Sequence, residues 1–330
     1  MINIDLKDRK ILYHLDLNCR QSYSQIGKKV GLSKKVVEYR VKRMEKEKII
    51  TGYWTNIDSY RFGYQVYRYY IIFQNANNVI RNQIIKEISD YKNTWVINSV
   101  KGVYDLSIVF WVKSITQFYK FYESINDKYG DYFAEKIFSI YLNADRYPQT
   151  YLVFNEKFLK ERQKPEKVGA NEPIDITYFD YLLLNELVEN AKISSIELAK
   201  KLKTTSQKVR YHNNMLIKNG VIQGFHVKID VSKFGLEQYK VDIWLRELSK
   251  RKEIWNYFKD NPYVTFINTS AGYADIEIEF TIENSNKIVE IMDKLIANFP
   301  NSIRRYIYNS AKKPYKLRCL PELSKFDFNK

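Results

Sequence analysis

The sequence predicts an α+β fold in which a three-helix domain and a βαββαβ domain alternate twice along the chain. Three observations predict this fold: an internal repeat, the spacing of apolar residues within each copy of the repeat, and a polar stretch between the copies. A chain of 330 residues is long enough for several small hydrophobic cores. We therefore expect several small domains rather than one large one.

The repeat is visible when the sequence is shifted by 172 residues. Residues Ile4–Gly63 then align with Ile176–Gly235 without a gap, and 17 of the 60 aligned positions are identical. At a shift of 170 residues, Gly102–Asp105 aligns with Gly272–Asp275. The match therefore extends beyond the opening segment of each copy and predicts two complete structural units.

Each copy opens with a three-helix pattern. In copy one, an apolar face recurs within residues 8–17, Ser22 is placed to cap a second helix, and residues 31–33 form a tight turn whose serine caps a third helix. An extended segment follows at residues 49–53. Three helices with a glycine turn before the last, and then a strand, predict a winged helix-turn-helix. The predicted buried face of the third helix consists of Val36 or Val37, Val41 and Met44.

The rest of each copy alternates β-rich runs with helical spacing. In copy one the predicted order is β-α-β-β-α-β, the ferredoxin-like arrangement, and copy two repeats it. The predicted segments of copy one are 67–73, 79–91, 94–100, 106–112, 115–129 and 133–142, and those of copy two are 239–245, 252–259, 264–270, 276–282, 285–299 and 302–309. The predicted domains are winged helix-turn-helix 1–63, α+β domain 64–154, linker 155–173, winged helix-turn-helix 174–235 and α+β domain 236–330.

The composition favours a polyanion as partner. The formal net charge is +16 and the isoelectric point is about 9.4. No apolar run is long enough for a membrane helix, and residues 1–10 have no apolar signal core, so we expect a cytoplasmic protein that does not contact a membrane. Cys19 and Cys319 lie far apart and the three histidines are scattered. We therefore expect no disulfide, no metal site and no cofactor.

The third helix of each copy is the candidate DNA-reading element, because a DNA major groove admits one α-helix. In copy one the candidate DNA-binding residues are Ser22, Ser33, Lys34, Lys35, Glu38, Tyr39, Arg40, Lys42 and Arg43. In copy two they are Ser194, Thr205, Ser206, Gln207, Arg210, Tyr211 and His212. Residues 1–60 hold 13 Lys/Arg against 7 Asp/Glu, whereas residues 174–232 hold 8 against 6. We therefore expect copy one to bind DNA more strongly.

The opening segment resembles the Lrp/AsnC (feast/famine) regulators of bacteria and archaea. The matching residues are Ile4, Asp5, Asp8, Ile11, Leu12, Leu15, Asn18, Cys19, Arg20, Ser22, Gly31-Leu32-Ser33, Val37, Arg40, Arg43-Met44-Glu45, Ile49-Ile50 and Gly52-Tyr53. The resemblance implies regulation of transcription through double-stranded DNA and α+β domains of the RAM or ACT type. Family members usually carry one copy and pair through that domain. Two copies in one chain therefore imply a pseudo-dimer within the polypeptide, with further homo-oligomers open.

The resemblance also implies a small-molecule effector, often an amino acid, bound near the turns between the middle strands of each sheet. The candidate effector-binding residues are Gly102, Tyr104, Asp105, Gly272, Tyr273 and Asp275. An aspartate in such a turn could accept the ammonium group of the ligand. The alternative is that each turn is a β-hairpin whose glycine and aspartate satisfy the backbone.

Two other functions remain open at this point. One is an enzyme of the haem-precursor decarboxylase type, which would need histidines and arginines gathered in the α+β domains. His14, His212 and His226 instead fall in or beside the helix-turn-helix segments, and no catalytic constellation is visible. The other is a ligand sensor that no longer binds DNA. We expect a regulator without catalytic residues.

Overall fold

The computed structural model describes residues 4–154, 160–169, 171–318 and 320–328, so Cys319 and part of the predicted linker lie outside the described residues. The α-helices are α1 Leu6–Leu17, α2 Tyr23–Val30, α3 Lys34–Lys46, α4 Asn78–Asp90, α5 Ile115–Tyr129, α6 Tyr178–Glu189, α7 Ser195–Lys201, α8 Ser206–Lys218, α9 Arg251–Lys259 and α10 Ser285–Asn298. The strands are β1 Ile50–Ile57, β2 Gln65–Phe73, β3 Thr94–Lys101, β4 Leu106–Val112, β5 Phe133–Arg146, β6 Glu166–Val168, β7 Ile222–Ile229, β8 Glu237–Leu245, β9 Val264–Ala271, β10 Ile276–Ile282 and β11 Ile303–Leu317. Within these ranges, no helix has the length and apolar character that a bilayer crossing requires.

Helices α1–α3 with strand β1, and helices α6–α8 with strand β7, form two units that we call head one and head two. Each helix begins at a residue that caps it. Ser22 and Ser33 accept hydrogen bonds from backbone N–H groups in the first turns of α2 and α3, and Ser194 and Thr205 do the same for α7 and α8. The first helix starts at Leu6, two residues before the predicted start, because Asp5 caps it in a reciprocal pair with Asp8.

The two heads are one structural body. Strand β1 of head one pairs antiparallel with β7 of head two, and the two strands form a sheet of their own. The apolar residues of both heads join a single core, which contains Leu12 and its counterpart Leu184. Arg20 of head one donates from Nε to the carbonyl of Ala191 at 2.7 Å and stacks on the ring of Phe225 at 4.1 Å. The heads are therefore held in a fixed relation to each other.

The eight strands of the two α+β domains close into one ring, which we call the barrel. The hydrogen-bonded order is β2-β4-β3-β11-β8-β10-β9-β5, and β5 pairs with β2 again to complete the circle. Strand β5 pairs with β2 over its first part and with β9 of the other copy through Arg146. Strand β11 pairs with β8 and then with β3, through Leu317. Both strands run past their predicted ends because the other copy supplies a partner.

Helices cover the outside of the barrel. The residues of β2 and β4 that alternate outward pack against α4 and α5, and the same arrangement recurs with α9 and α10 in copy two. The inward faces of the sheets carry charged side chains, including Arg68, Lys240, Asp242 and Glu277, all of which lie buried or nearly so. The two sheets are joined by their edges, so their facing surfaces are free to be polar.

The segment predicted to be a linker makes specific contacts where it is described. Arg162 is fully buried and donates to the carbonyls of Lys259, Pro148 and Val264. Strand β6 pairs with β5, and Glu166 accepts a hydrogen bond from His226 of head two at 2.9 Å. Residues 160–169 therefore fasten head two to the barrel.

The turn between the second and third helices of each head requires a left-handed residue. In head one this residue is Gly31, with φ of 67°. The equivalent residue of head two is Lys203, with φ of 51°. A side chain is unfavourable in this conformation, whereas glycine adopts it freely.

Lys203→Gly should therefore stabilise the protein by about 0.5–1 kcal/mol, because relief of the left-handed strain exceeds the added backbone entropy of the unfolded chain. Gly31→Ala should destabilise it by about 1 kcal/mol. Chemical denaturation of both variants measures the two effects. A Lys203→Gly variant less stable than the wild type would contradict this account of the turn.

Residues 1–154 expressed alone should self-associate, because both edges of the copy-one sheet pair with copy two in the intact chain. Size-exclusion chromatography with light scattering gives the mass of the fragment. Co-expression with residues 155–330 should convert it to a one-to-one complex. A stable, soluble monomer of residues 1–154 would show that the closed barrel is not required.

Candidate nucleic-acid interface and barrel interior

The N-terminal end of α3 presents an exposed basic surface. Lys34, Lys35 and Tyr39 are exposed, and Tyr39 exposes 68% of its surface. Val37 and Val41 on the opposite face are fully buried and fix the helix to the head. Neither lysine forms an ion pair with any described residue, so their charges are available to a phosphate.

Arg40 and Arg43 form ion pairs within head one. Arg40 forms ion pairs with Asp5 at 2.7 Å and with Asp8 at 2.9 Å, and Arg43 also pairs with Asp8. The hydrogen bonds that Arg40 donates to Asp5 and Asp8 raise its pKa above the ordinary value. The two side chains brace α3 against the start of α1, and their contact with DNA stays a prediction.

Glu38 and Lys42 pair with each other along the exposed surface of α3, at 2.8 Å. The hydrogen bond with Lys42 lowers the pKa of Glu38. Such an exposed pair contributes little to stability and opens easily. Ser22 is exposed and caps α2 together with Gln25, so the N-terminal amides of α2 lie near its hydroxyl.

Helix α8 presents a less basic surface at the equivalent positions. Ser206 and Gln207 stand where copy one has Lys34 and Lys35. Arg210 and Tyr211 are exposed, and Tyr211 exposes 63% of its surface. Thr205 and Ser194 act as helix caps.

His212 is the counterpart of Arg40 and makes the equivalent contact. Its Nδ1 lies 2.6 Å from Asp180, the counterpart of Asp8. The ring of His212 is therefore held within the head through Nδ1, and its contact with DNA stays a prediction.

In the turns that were expected to bind an effector, the aspartate side chains accept hydrogen bonds from backbone N–H groups. Asp105 accepts a hydrogen bond from the backbone N–H of Phe73 at 2.8 Å, and Asp275 accepts one from that of Leu245 at 2.7 Å. Gly102 lies against Asn309, where a Cβ atom would come within 2.3 Å of the amide oxygen. These aspartates fix the turns to the neighbouring strands, which is the alternative reading of the turns, and their contact with a ligand's ammonium stays a prediction.

The tyrosines of the turns point into the barrel. The hydroxyl groups of Tyr104 and Tyr273 hydrogen-bond to each other across the two copies. Tyr273 also donates to Asp242 at 3.2 Å, and Tyr104 stacks on Tyr70 at 4.4 Å. Gly272 is exposed at the tip of its turn. Of the predicted effector residues, the two tyrosines therefore contact the barrel interior.

The barrel interior contains a buried network of charges. Lys240 pairs with Asp242 and with Glu277, and Arg68 donates to Glu277 at 3.3 Å. Burial lowers the pKa of Lys240 to about 8, although Glu277 acts in the opposite direction. The pKa of Glu277 stays below its ordinary value despite its burial, because Lys240 and Arg68 lie beside it. Such a buried network is costly to leave incomplete.

Two adjoining cavities lie inside the barrel, and residues of both copies line each of them. The first has a volume of about 190 Å³ and is mainly polar. The second has a volume of about 300 Å³ and is bounded by aromatic and branched side chains. These side chains are not among the residues predicted from the sequence. A signal was present, because two predicted strands carry charged residues at alternate positions, Lys240 with Asp242 and Glu277 with Glu279.

Comparison with known proteins agrees with the repeat. The family model described as winged helix-turn-helix DNA-binding matches residues 4–51 and again residues 176–223. An uncharacterised HTH-type transcriptional regulator of Pyrococcus furiosus is 28% identical over 127 residues, which cover 38% of this chain and 82% of that protein. The HTH-type transcriptional regulator Ptr1 of Methanocaldococcus jannaschii is 28% identical over 137 residues, 42% of this chain and 84% of that protein. Each relative thus corresponds to one of the two copies.

The fold and the paired reading helices define a DNA-binding protein of the winged helix-turn-helix class, with ferredoxin-like domains attached. The relatives are named as HTH-type transcriptional regulators, and the chain carries two helix-turn-helix units where each relative is about as long as one copy. One of these relatives, LrpA of Pyrococcus horikoshii, is 38% identical over 63 residues, which cover 19% of this chain and 45% of that protein. The predicted resemblance and fold class are confirmed.

A solved structure shares the two-copy architecture. The siroheme decarboxylase NirDL superimposes with a TM-score of 0.62 and covers 98% of this chain and 96% of its own, at 11% sequence identity. This likeness shows a common fold for the whole chain.

Asp8→Asn should lower the free energy of unfolding by about 1–3 kcal/mol, because it removes the charge that holds two partly buried arginines. Glu38→Gln is the matched control on α3, the helix that carries the two arginines, and the loss of its exposed pair should have a much smaller effect. Urea denaturation measures both. Equal losses in the two variants would contradict the bracing role of Asp8.

Proposed function

We propose that the chain is a sequence-specific regulator that grips double-stranded DNA with two unequal heads, the first of which supplies most of the affinity. The observation that carries this proposal is the β1–β7 pairing. It fixes two reading helices in one body while their exposed surfaces differ in charge. We also propose that a small-molecule effector acts on DNA binding through the barrel.

Symmetry determines the kind of DNA site that such a protein reads. Two identical heads related by a two-fold axis read a palindrome. Here the heads pack alike, since Val37 and Val209 are both buried and Tyr39 and Tyr211 are both exposed. They differ at Lys34 against Ser206 and at the next residue. We therefore infer an operator with two half-sites of different sequence, separated by the fixed distance between the two heads.

A second candidate function is an enzyme of the decarboxylase type, which the shared architecture with NirDL favours. Sequence relatives along each copy are transcriptional regulators, which favours the first proposal. In addition, no histidine occurs in residues 64–154 or 236–330, the two α+β domains. The two barrel cavities hold at most about 300 Å³, whereas a third cavity of about 570 Å³ is lined by residues that include Asp145 of β5 and Trp255 of α9.

Replacing Lys34 and Lys35 with Ala should reduce the salt dependence of DNA binding by about two units of slope, because each lysine that touches a phosphate releases about one counterion. The affinity should fall for all DNA sequences. Ser206→Ala with Gln207→Ala is the matched change in head two. It should leave the slope unchanged and weaken the preference for one half-site only.

Fluorescence anisotropy titrations with duplex DNA across a salt series measure both variants. Operator DNA for these titrations is first selected from a random duplex pool. Equal losses of slope in the two double variants would contradict the asymmetry. Unchanged binding in both would contradict the assignment of α3 and α8 as reading helices.

A further inference from the structure

An open cleft lies on the outside of the barrel, between α9 and the end of β5. Its volume is about 570 Å³. Residues 248–259 line one side, residues 143–147 line the other, and residues 163–167 complete the lining. The volume lies within the range of sites that bind small organic molecules. The cleft is therefore large enough for a ligand with both a ring and a charged group.

One face of α9 places an aromatic ring between two cations. Arg251, Trp255 and Lys259 follow one another at intervals of four residues, so they lie on the same face of the helix, and all three line the cleft. The helical rise puts the ring about 6 Å along the axis from each cation. Trp255 is half-buried, because it also packs on the core of copy two. Its ring is therefore held in place at the middle of the cleft.

The lining of the cleft carries a positive charge that no group of the described chain neutralises. Arg251, Lys252, Lys259 and Lys167 line it, and none of them forms an ion pair with a described residue. The Nη2 of Arg251 is buried and has no hydrogen-bond acceptor. Asp145 is the one acidic residue among the described lining residues. Four cations against one carboxylate favour an anionic ligand.

The N-terminus of α9 opens at one end of this cleft. The helix begins at Arg251, and Lys250 before it supplies no side-chain cap. The first N–H groups of an uncapped helix lack partners, and the helix dipole adds positive charge there. Ser249, Arg251 and Lys252 line this end of the cleft. A phosphate group suits such a combination of helix N-terminus, arginine and lysine.

The other end of the cleft carries a buried carboxylate that lacks a donor. Asp145 is 6% exposed, and no described residue donates a hydrogen bond to its side chain. Burial raises the pKa of Asp145, although the charges of Lys167 and Lys259 act in the opposite direction. Asp145 therefore lies toward the end of α9 that carries Lys259. Because a buried carboxylate without a donor is costly, the site indicates a ligand that brings N–H groups.

We propose that the cleft binds a free purine nucleotide whose base carries an amino group. The base lies on the ring of Trp255, its amino edge faces Asp145, and its phosphate meets the first turn of α9. Stacking on an aromatic ring suits every base, whereas a carboxylate acceptor selects guanine or adenine over hypoxanthine. A single strand of nucleic acid shares this chemistry, but the volume of the cleft matches a free nucleotide.

The cleft adjoins the segment that fastens head two to the barrel. Gln163, Pro165 and Lys167 belong to residues 160–169 and line the cleft. A bound nucleotide therefore contacts this segment. An effect of the nucleotide on DNA binding rests on the proposed function, whereas nucleotide binding itself does not.

Isothermal titration of the full chain without DNA tests the proposal. The probes are GMP, AMP, IMP, guanosine, adenosine, inorganic phosphate and a 5′-phosphorylated single-stranded oligonucleotide. GMP or AMP should bind about tenfold or more tightly than IMP, because IMP lacks the amino group that Asp145 accepts. The nucleosides and phosphate alone should bind more weakly than the intact nucleotide, since each meets only one end of the cleft.

Asp145→Asn should abolish the preference for the amino-bearing nucleotide over IMP and should change the Kd of IMP little. Asp293→Asn on α10 is the matched control, because Asp293 is exposed and does not line the cleft. A coupling between Asp145 and the amino group of the base is thereby separated from a general loss of stability.

Lys252→Ala should raise the Kd of the bound nucleotide about tenfold and leave that of the nucleoside unchanged, because a contact with the phosphate is lost. Lys294→Ala on α10 makes the same change of charge away from the cleft and should have no effect. Trp255→Phe should retain binding and remove the change in tryptophan fluorescence that the nucleotide causes.

Absence of binding by GMP and AMP at millimolar concentration would overturn the proposal, as would IMP that binds as tightly as both. Tighter binding of the oligonucleotide than of any mononucleotide would contradict the free nucleotide as ligand. Equal effects of Lys252→Ala and Lys294→Ala would also count against the cleft. Nucleotide binding by a chain with no affinity for duplex DNA would support the cleft and contradict the proposed function, so the two failures are distinguishable.

Discussion

Pairing of β5 and β11 across the two copies is the constraint on which the rest of the structure depends. Each strand is long enough to serve its own sheet with one part and the other copy's sheet with the next. The pairing satisfies the backbone groups at both edges of each sheet, which would otherwise be free to aggregate. It also closes the barrel without any need for the facing sheet surfaces to be apolar.

This closure explains why charged side chains lie at the centre of the molecule. A sheet that packs face to face on another needs an apolar surface between them. Here backbone hydrogen bonds join the sheets, and the helices on the outside bury the apolar faces. Arg68, Lys240 and Glu277 can then occupy the interior, where they compensate one another. The same closure leaves room for the cavities and for the unpartnered hydroxyl of Tyr141.

Like the two sheets of the barrel, the two heads are joined to each other across the copies. Strands β1 and β7 pair with each other, and the buried polar contacts at the junction tie the heads to the barrel. His226 bonds through its two ring nitrogens to the carbonyl of Asp16 and to Glu166, while Arg146 at the end of β5 pairs with Asp16. The barrel is therefore directly connected to both heads.

The sequence by itself determined the repeat, the helices and most strands, and the position of the reading helices, because these follow from local apolar spacing and from caps such as Ser33 and Thr205. It also predicted the charge difference between the heads. Tertiary structure alone decided that Arg40 braces Asp8, that Asp105 serves the backbone, and that β5 and β11 extend into the other copy. These outcomes depend on partners more than 30 positions away or in the other copy. The local spacing of apolar residues does not predict such partners.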